Sequence, residues 1–113
     1  MKASSADQAA FVRLTQLVGA DIAIMSGDEH LFAVQIALGA AGGVLASCNV
    51  LPRTWVEIFQ TAKAGDFARA QKQLFRLNDF LVSVYSEPNP GPLKAAQKIA
   101  GFDAGGVRIP NRA

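Results

Sequence analysis

Three small clusters in this 113-residue chain carry side chains capable of chemistry. Lys2 stands at the start, Ser26-Gly27-Asp28 closes a short apolar run at 21–26, and Ser47-Cys48-Asn49 closes a second run at 43–47. A lysine amine can add to a keto carbonyl and expel water to give a Schiff base, provided burial keeps some of the amine neutral. A lysine beside the first residue is, however, ordinarily a surface charge. Gly27 after a strand either lets a substrate approach the backbone closely or simply makes a turn. Asn49 can bond a ligand, but capping the helix that starts at Pro52 is the favoured reading. Cys48, with no histidine partner near it, reads as a small buried filler. The single histidine, His30, falls in the first turn of a helix and reads as solvated. No cluster has metal-ligand spacing. The glycine-rich stretch 39–43 precedes a strand instead of following one, so it is not a phosphate loop.

The elements that must position these residues follow from periodicity. Between the two apolar runs, Leu31, Val34, Ala37 and Leu38 recur at helical spacing, with Phe32 and Ile36 widening the stripe. Two buried strands joined by one helix of about ten residues form a βαβ unit, which requires parallel strands and a right-handed crossover. Ligands bind beyond the carboxyl ends of such strands, so the two polar triplets should lie side by side on one functional face. Before them, Ser4, Ser5 and Asp7 compete to cap a helix through Val18, with Phe11, Leu14, Leu17 and Val18 buried and Gly19 as the stop. The alternation implies that a strand feeds this helix, so Met1-Lys2 reads as the end of a strand whose earlier part is absent. Lys2 then becomes a third strand-end residue on the same face.

Beyond Asn49, proline at position 52 suits the first turn of a helix running to 64–65. Gly65-Asp66 is a stop followed by a cap. A long apolar stripe then predicts a single helix over 67–85. The proline-rich run 87–92 is excluded from helix, and a short helix over 93–100 ends at Gly101. Only Val107 and Ile109 give the tail a packing signal. Two complete strands, one stub and about five helices make an incomplete α/β domain with a helical C-terminal extension.

Composition narrows the function. Half the residues are hydrophobic, which suits one domain or part of one. A net charge of +2 is too small an excess to mark a nucleic-acid binder. Arg69, Lys72 and Arg76 share a helix face that solvation explains. One cysteine excludes an internal disulfide and suits a reducing compartment. The apolar runs are too short to cross a membrane, and residues 1–5 lack a signal-peptide core, so the expected location is cytoplasmic.

Several stretches resemble the C-terminal part of the dihydrodipicolinate synthase/N-acetylneuraminate lyase superfamily, class I aldolase-type TIM barrels. They are Lys2-Ala3-Ser4-Ser5-Ala6-Asp7, Ser26-Gly27-Asp28, Leu38-Gly39 through Gly43-Val44, and Asn49-Val50 with Pro52. Gly65-Asp66 with Ala68 and Ala70, Arg108-Ile109-Pro110, and the most specific piece, Glu87-Pro88-Asn89-Pro90-Gly91-Pro92-Leu93-Lys94, complete the set. The resemblance implies a fold running from the end of strand 6 through helix 8 of a (β/α)8 barrel. Residues 1–64 would be the barrel part and 65–113 the helical domain and tail. It implies that Lys2 is the Schiff-base lysine, that Gly27 lines the substrate pocket with its backbone, and that Val44 packs beside a bound keto acid. Asn49, Asn89 and Lys94 match positions read as structural. The implied function is a lyase acting on pyruvate or a related 2-keto acid, with no metal or organic cofactor, in a homo-oligomer that is commonly a tetramer.

A complete barrel takes about 250 residues. The family's paired-threonine loop and proton-relaying tyrosine belong to an N-terminal part outside these residues. The other reading of the chain is therefore a non-catalytic remnant, or a split-barrel piece needing another chain.

Overall fold

The computed structural model describes residues 1–111. Three very short parallel strands, β1 (Lys2–Ala3), β2 (Met25–Ser26) and β3 (Gly42–Gly43), form a sheet in chain order. Helix α1 (Gln8–Val18) joins the first two, and α2 (Phe32–Ala37) joins the second and third. A 3₁₀ turn (Ala46–Asn49) leads into α3 (Pro52–Lys63), α4 (Phe67–Phe75), α5 (Asn78–Val84) and α6 (Gly91–Ile99). The parallel α/β arrangement is the one that the βαβ pattern requires.

Local chemistry sets most helix ends. Of the three competing caps Asp7 wins, its carboxylate accepting from the Ala10 amide at 3.0 Å. Asp66 does the same for α4 through the Arg69 amide at 3.1 Å. Gly65 before it takes φ +87°, a left-handed turn that a side chain would strain. Helix α3 starts on Pro52 as expected, but Leu51 is its N-cap and no side chain caps it. Asn49 instead donates to the Ala46 carbonyl at 2.9 Å, closing the 3₁₀ turn. The capping reading of Asn49 is therefore corrected.

Four boundaries differ from the sequence expectation, each for a physical reason. The run 21–26 is strand only at its end, because the Asp21 and Ile22 amides turn back to the Val18 carbonyl at 3.0 and 2.8 Å. The second run is strand at Gly42–Gly43 and then turns, its Ser47 amide captured by a distant carboxylate. The long stripe 67–85 breaks at Arg76-Leu77, where the Leu77 amide bonds the Leu74 carbonyl at 2.9 Å. That bend lets Leu74, Leu77 and Leu81 enter one core. Helix α6 begins at Gly91, inside the proline-rich run, since Pro92 falls in the first turn where its missing N–H costs nothing.

The core is assembled from residues spread between Phe11 and Leu81. Phe11, Ile24, Phe32, Ala33, Ile36, Trp55, Ile58, Ala62, Ala70, Leu74 and Leu81 form one buried cluster. Phe32 packs edge-on against Trp55 with ring centroids 5.5 Å apart. Leu17, expected inside, is 60% exposed, and Ile109 in the tail is also exposed. Helix α6 is tied back by Gln97, which donates to the Asn49 carbonyl at 3.4 Å. Lys94 holds the tail through the carbonyls of Gly106 and Ala104, at 2.6 and 3.3 Å. No helix among the described residues is long and apolar enough to cross a membrane.

Ile58 is fully buried, so Ile58→Ala should cost about 2–5 kcal/mol of unfolding free energy. Val82, 57% exposed, should lose less than about 0.5 kcal/mol on the same truncation. Urea titration followed by the fluorescence of Trp55, the single tryptophan, reads both.

Candidate functional site

Strand register brings the candidate residues together. Lys2 pairs with Met25 and Met25 with Gly42, while Ala3 pairs with Ser26 and Ser26 with Gly43. The ladder runs on past each strand end: the Gly27 amide donates to Ala3 O at 2.7 Å, and the Val44 amide to Ser26 O at 2.8 Å. Side chains alternate along a strand, so Lys2, Gly27 and Val44 share one face of the sheet. Ala3, Ser26 and Gly43 take the opposite face. There Ser26 is fully buried, and a Cβ on Gly43 would meet the Phe32 ring of α2 at 2.7 Å. The Lys2 face has no helix of this kind against it. Lys2 is exposed and Val44 keeps 49% of its surface.

Gly27 matters here because it lacks a side chain. A Cβ at this position would lie 2.7 Å from Lys2 Cε and 2.9 Å from Ala3 O, and would collide with Ser4 Oγ. The lysine stem crosses the space that the glycine leaves open. The close backbone approach anticipated for a substrate at Gly27 is, in this structure, made by Lys2 itself.

Polar groups gather just beyond the strands. Glu29, only 4% exposed, accepts on Oε1 from both the amide and the hydroxyl of fully buried Ser47, at 3.1 and 3.2 Å. Asp28 Oδ1 accepts from the Leu31 amide at 3.2 Å and steadies the entry to α2. A cavity of about 210 Å³ is lined by Gly27, Asp28, Glu29, His30 and Tyr85. His30 is exposed, as expected, with its ring centroid 6.4 Å from that of Tyr85. Burial, then the adjacent Glu29 carboxylate, then the Asp28 charge push the Tyr85 phenol well above its ordinary range. Burial first and Glu29 second also push the Cys48 thiol up from 9.0. Half-buried Cys48 is thus a poor nucleophile at neutral pH, in keeping with the filler reading.

Sequence reasoning singled out the triplets that hold Asp28 and Ser47 but missed Glu29 and Tyr85. An acid one residue past a strand-end triplet was a usable signal for Glu29. Nothing local marks Tyr85, which reaches the cavity from α5. Among the described residues, no group of three or more histidines, cysteines and acids could hold a metal ion. Arg69, Lys72 and Arg76 are all exposed.

Comparison with known proteins returns one family. The family model described as the dihydrodipicolinate synthetase family matches residues 1–112. The 4-hydroxy-tetrahydrodipicolinate synthase of Anaeromyxobacter dehalogenans is 34% identical over 111 residues, covering 97% of this chain and 38% of the relative. Dihydrodipicolinate synthase from Aquifex aeolicus superposes with a TM-score of 0.92 at 30% identity, over 99% of this chain and 39% of that one. The chloride-inhibited dihydrodipicolinate synthase from Acinetobacter baumannii, a complex with pyruvate, gives 0.89 at 25% identity, over 97% and 38%. The chain thus spans well under half the length of the relatives it matches.

Both raised groups have one consequence for stability. Each binds its proton more tightly folded than unfolded, so its contribution is complete below the unfolded pKa and is lost as pH rises through the folded one. The urea midpoint should therefore be flat near neutrality and fall as pH climbs above about 9, where an unfolded thiol begins to ionise. Tyr85→Phe should remove the part of that fall that sets in above about pH 10.

Proposed function

The chain belongs to the dihydrodipicolinate synthetase family, and from that membership we propose that it carries the Schiff-base half of a 2-keto acid lyase. The reading covers the end of strand 6 through helix 8 of a (β/α)8 barrel, with residues 1–64 as barrel and 65–113 as helical extension. One observation carries it: Lys2, Gly27 and Val44 lie at adjacent parallel strand ends on the one sheet face that α2 leaves open.

In this reading the neutral Lys2 amine attacks the carbonyl carbon of pyruvate or a related 2-keto acid. Water leaves to give an iminium, and loss of a proton from the adjacent carbon gives an enamine. The enamine then makes or breaks a C–C bond, or expels a hydroxyl, and water releases the product and the free lysine. Gly27 contributes the room in which the lysine stem lies, and Val44 an apolar surface for the keto acid. The pyruvate bound by the Acinetobacter baumannii relative supports the substrate class. Cytoplasmic location and homo-oligomeric assembly belong to the same proposal, as does a barrel completed by the length that the relatives have and this chain does not match. No metal or organic cofactor enters the chemistry.

Incubation with pyruvate and borohydride, followed by intact-mass and peptide mapping, tests the reading. One reduced adduct on Lys2, lost in Lys2→Ala and kept in Lys94→Ala, is the expected result. No adduct, or one spread evenly over the surface lysines, while the Aquifex aeolicus relative is labelled in parallel, would overturn it for this chain.

A further inference from the structure

Glu29 stands out once the strand ends are described. It is an acid at 4% exposure, yet the single ion pair among the described residues lies elsewhere, between Lys98 and Asp103. A buried carboxylate without a cation is held by hydrogen bonds or not at all. Here both bonds come from one residue, Ser47, eighteen positions away on the 3₁₀ turn after β3. The groups facing Glu29 belong to three separate pieces of chain: Asp28 and His30 on its own loop, Ser47 and Cys48 on the 3₁₀ turn, and Tyr85 at the end of α5.

We propose that Glu29 is a positioning residue, whose carboxylate fixes the loop after β2 to the turn after β3 along the cavity that Gly27 lines. Its value to the chemistry rests on the Schiff-base reading of Lys2, but its structural part does not. Ser47 cannot swing out while its amide and hydroxyl are both engaged, so Val44, three residues earlier and already bonded to Ser26, is held from both sides. Tyr85 closes the same cavity from the helical extension, so the extension forms part of its wall.

Single reporters make this testable on the chain as it exists. Cys48 is the only cysteine, so the pH profile of its reaction with a thiol reagent reads one group. In Glu29→Gln the midpoint of that profile should move down, because the negative charge beside the thiol is gone. Loss of burial would lower the midpoint too, so Ser47→Ala, which loosens the same turn but keeps the carboxylate, is the control and should move the midpoint less. Ser47→Ala and Glu29→Met should also be strongly non-additive in urea midpoint, since each removes the bond from the Ser47 hydroxyl to Glu29. An unchanged thiol midpoint together with additive stabilities would overturn the proposal. On the functional side, Glu29→Met should lower the yield of the Lys2–pyruvate adduct several-fold, while Glu29→Gln, which keeps an acceptor oxygen for Ser47, restores part of it. An adduct yield equal to wild type would overturn the positioning role at the site. A wild-type chain that gives no adduct would remove the Schiff-base reading alone, and the thiol profile and the double-mutant comparison would still decide the role of Glu29.

Discussion

Four backbone hydrogen bonds carry the geometry of this chain: Met25 to Met1, Gly27 to Ala3, Ala41 to Ile24 and Val44 to Ser26, all at 2.7–2.8 Å. They fix three parallel strands in a register that leaves no slack. Because side chains alternate with a period of two, a slip of one residue would exchange the faces of the sheet. Lys2 would then point at α2, and Ser26 would leave its buried site. Strands of two residues cannot hold such a register by themselves. It is held because α1 and α2 bury their apolar sides against the opposite face, with Ile24, Phe32 and Ile36 in one cluster.

The helical segment after Gly65 is joined to this sheet twice, once by apolar packing and once by polar stitching. Ala70, Leu74, Leu77 and Leu81 share a core with Trp55 and Phe32. Packing of that kind is strong but not directional. Direction comes from groups that bond at fixed angles: Glu29 to Ser47 among the strand-end loops, Gln97 across to the Asn49 carbonyl, and Lys94 to the tail carbonyls within the segment itself. The first of these meets the strand ends, where a displacement of a fraction of an ångström matters to any reaction. Division of labour between a greasy interior and a few polar ties explains how so small a sheet presents an ordered edge.

Much of this arrangement was legible in the sequence, because much of it is local. The Asp7 and Asp66 caps, the proline start of α3 and the stop at Gly65 all depend on residues within a few positions of one another. The parallel order of the strands followed from apolar runs separated by a helix, and Lys2, Gly27 and Val44 were brought to notice by a motif. What could not be read depends on contacts across space. The run that begins with β3 turns away where Glu29 reaches Ser47, and no periodicity encodes a bond over eighteen residues. The stripe from Phe67 to Tyr85 fits a straight helix as well as a bent one, and only the position of the core chooses the bend at Arg76-Leu77. Leu17 has the spacing of a core residue but lies where nothing covers it.

The same open face that makes Lys2 reachable also limits what it can do. Addition to a carbonyl needs a neutral amine, and collapse to an iminium expels water, so the reaction is favoured where water is scarce. In this chain β1 and β3 are the edges of the sheet, Lys2 is exposed, and Val44 keeps about half its surface in solvent. The opposite face is dry because helices lie on it. Positioning and desolvation are therefore separate problems here. The register, Gly27 and the Glu29–Ser47 tie address the first within these residues. The second requires cover over the Lys2 face, and the relatives matched here are more than twice as long as this chain. On the proposed reading of Lys2, cover of that face is the physical step that separates a held amine from a reactive one.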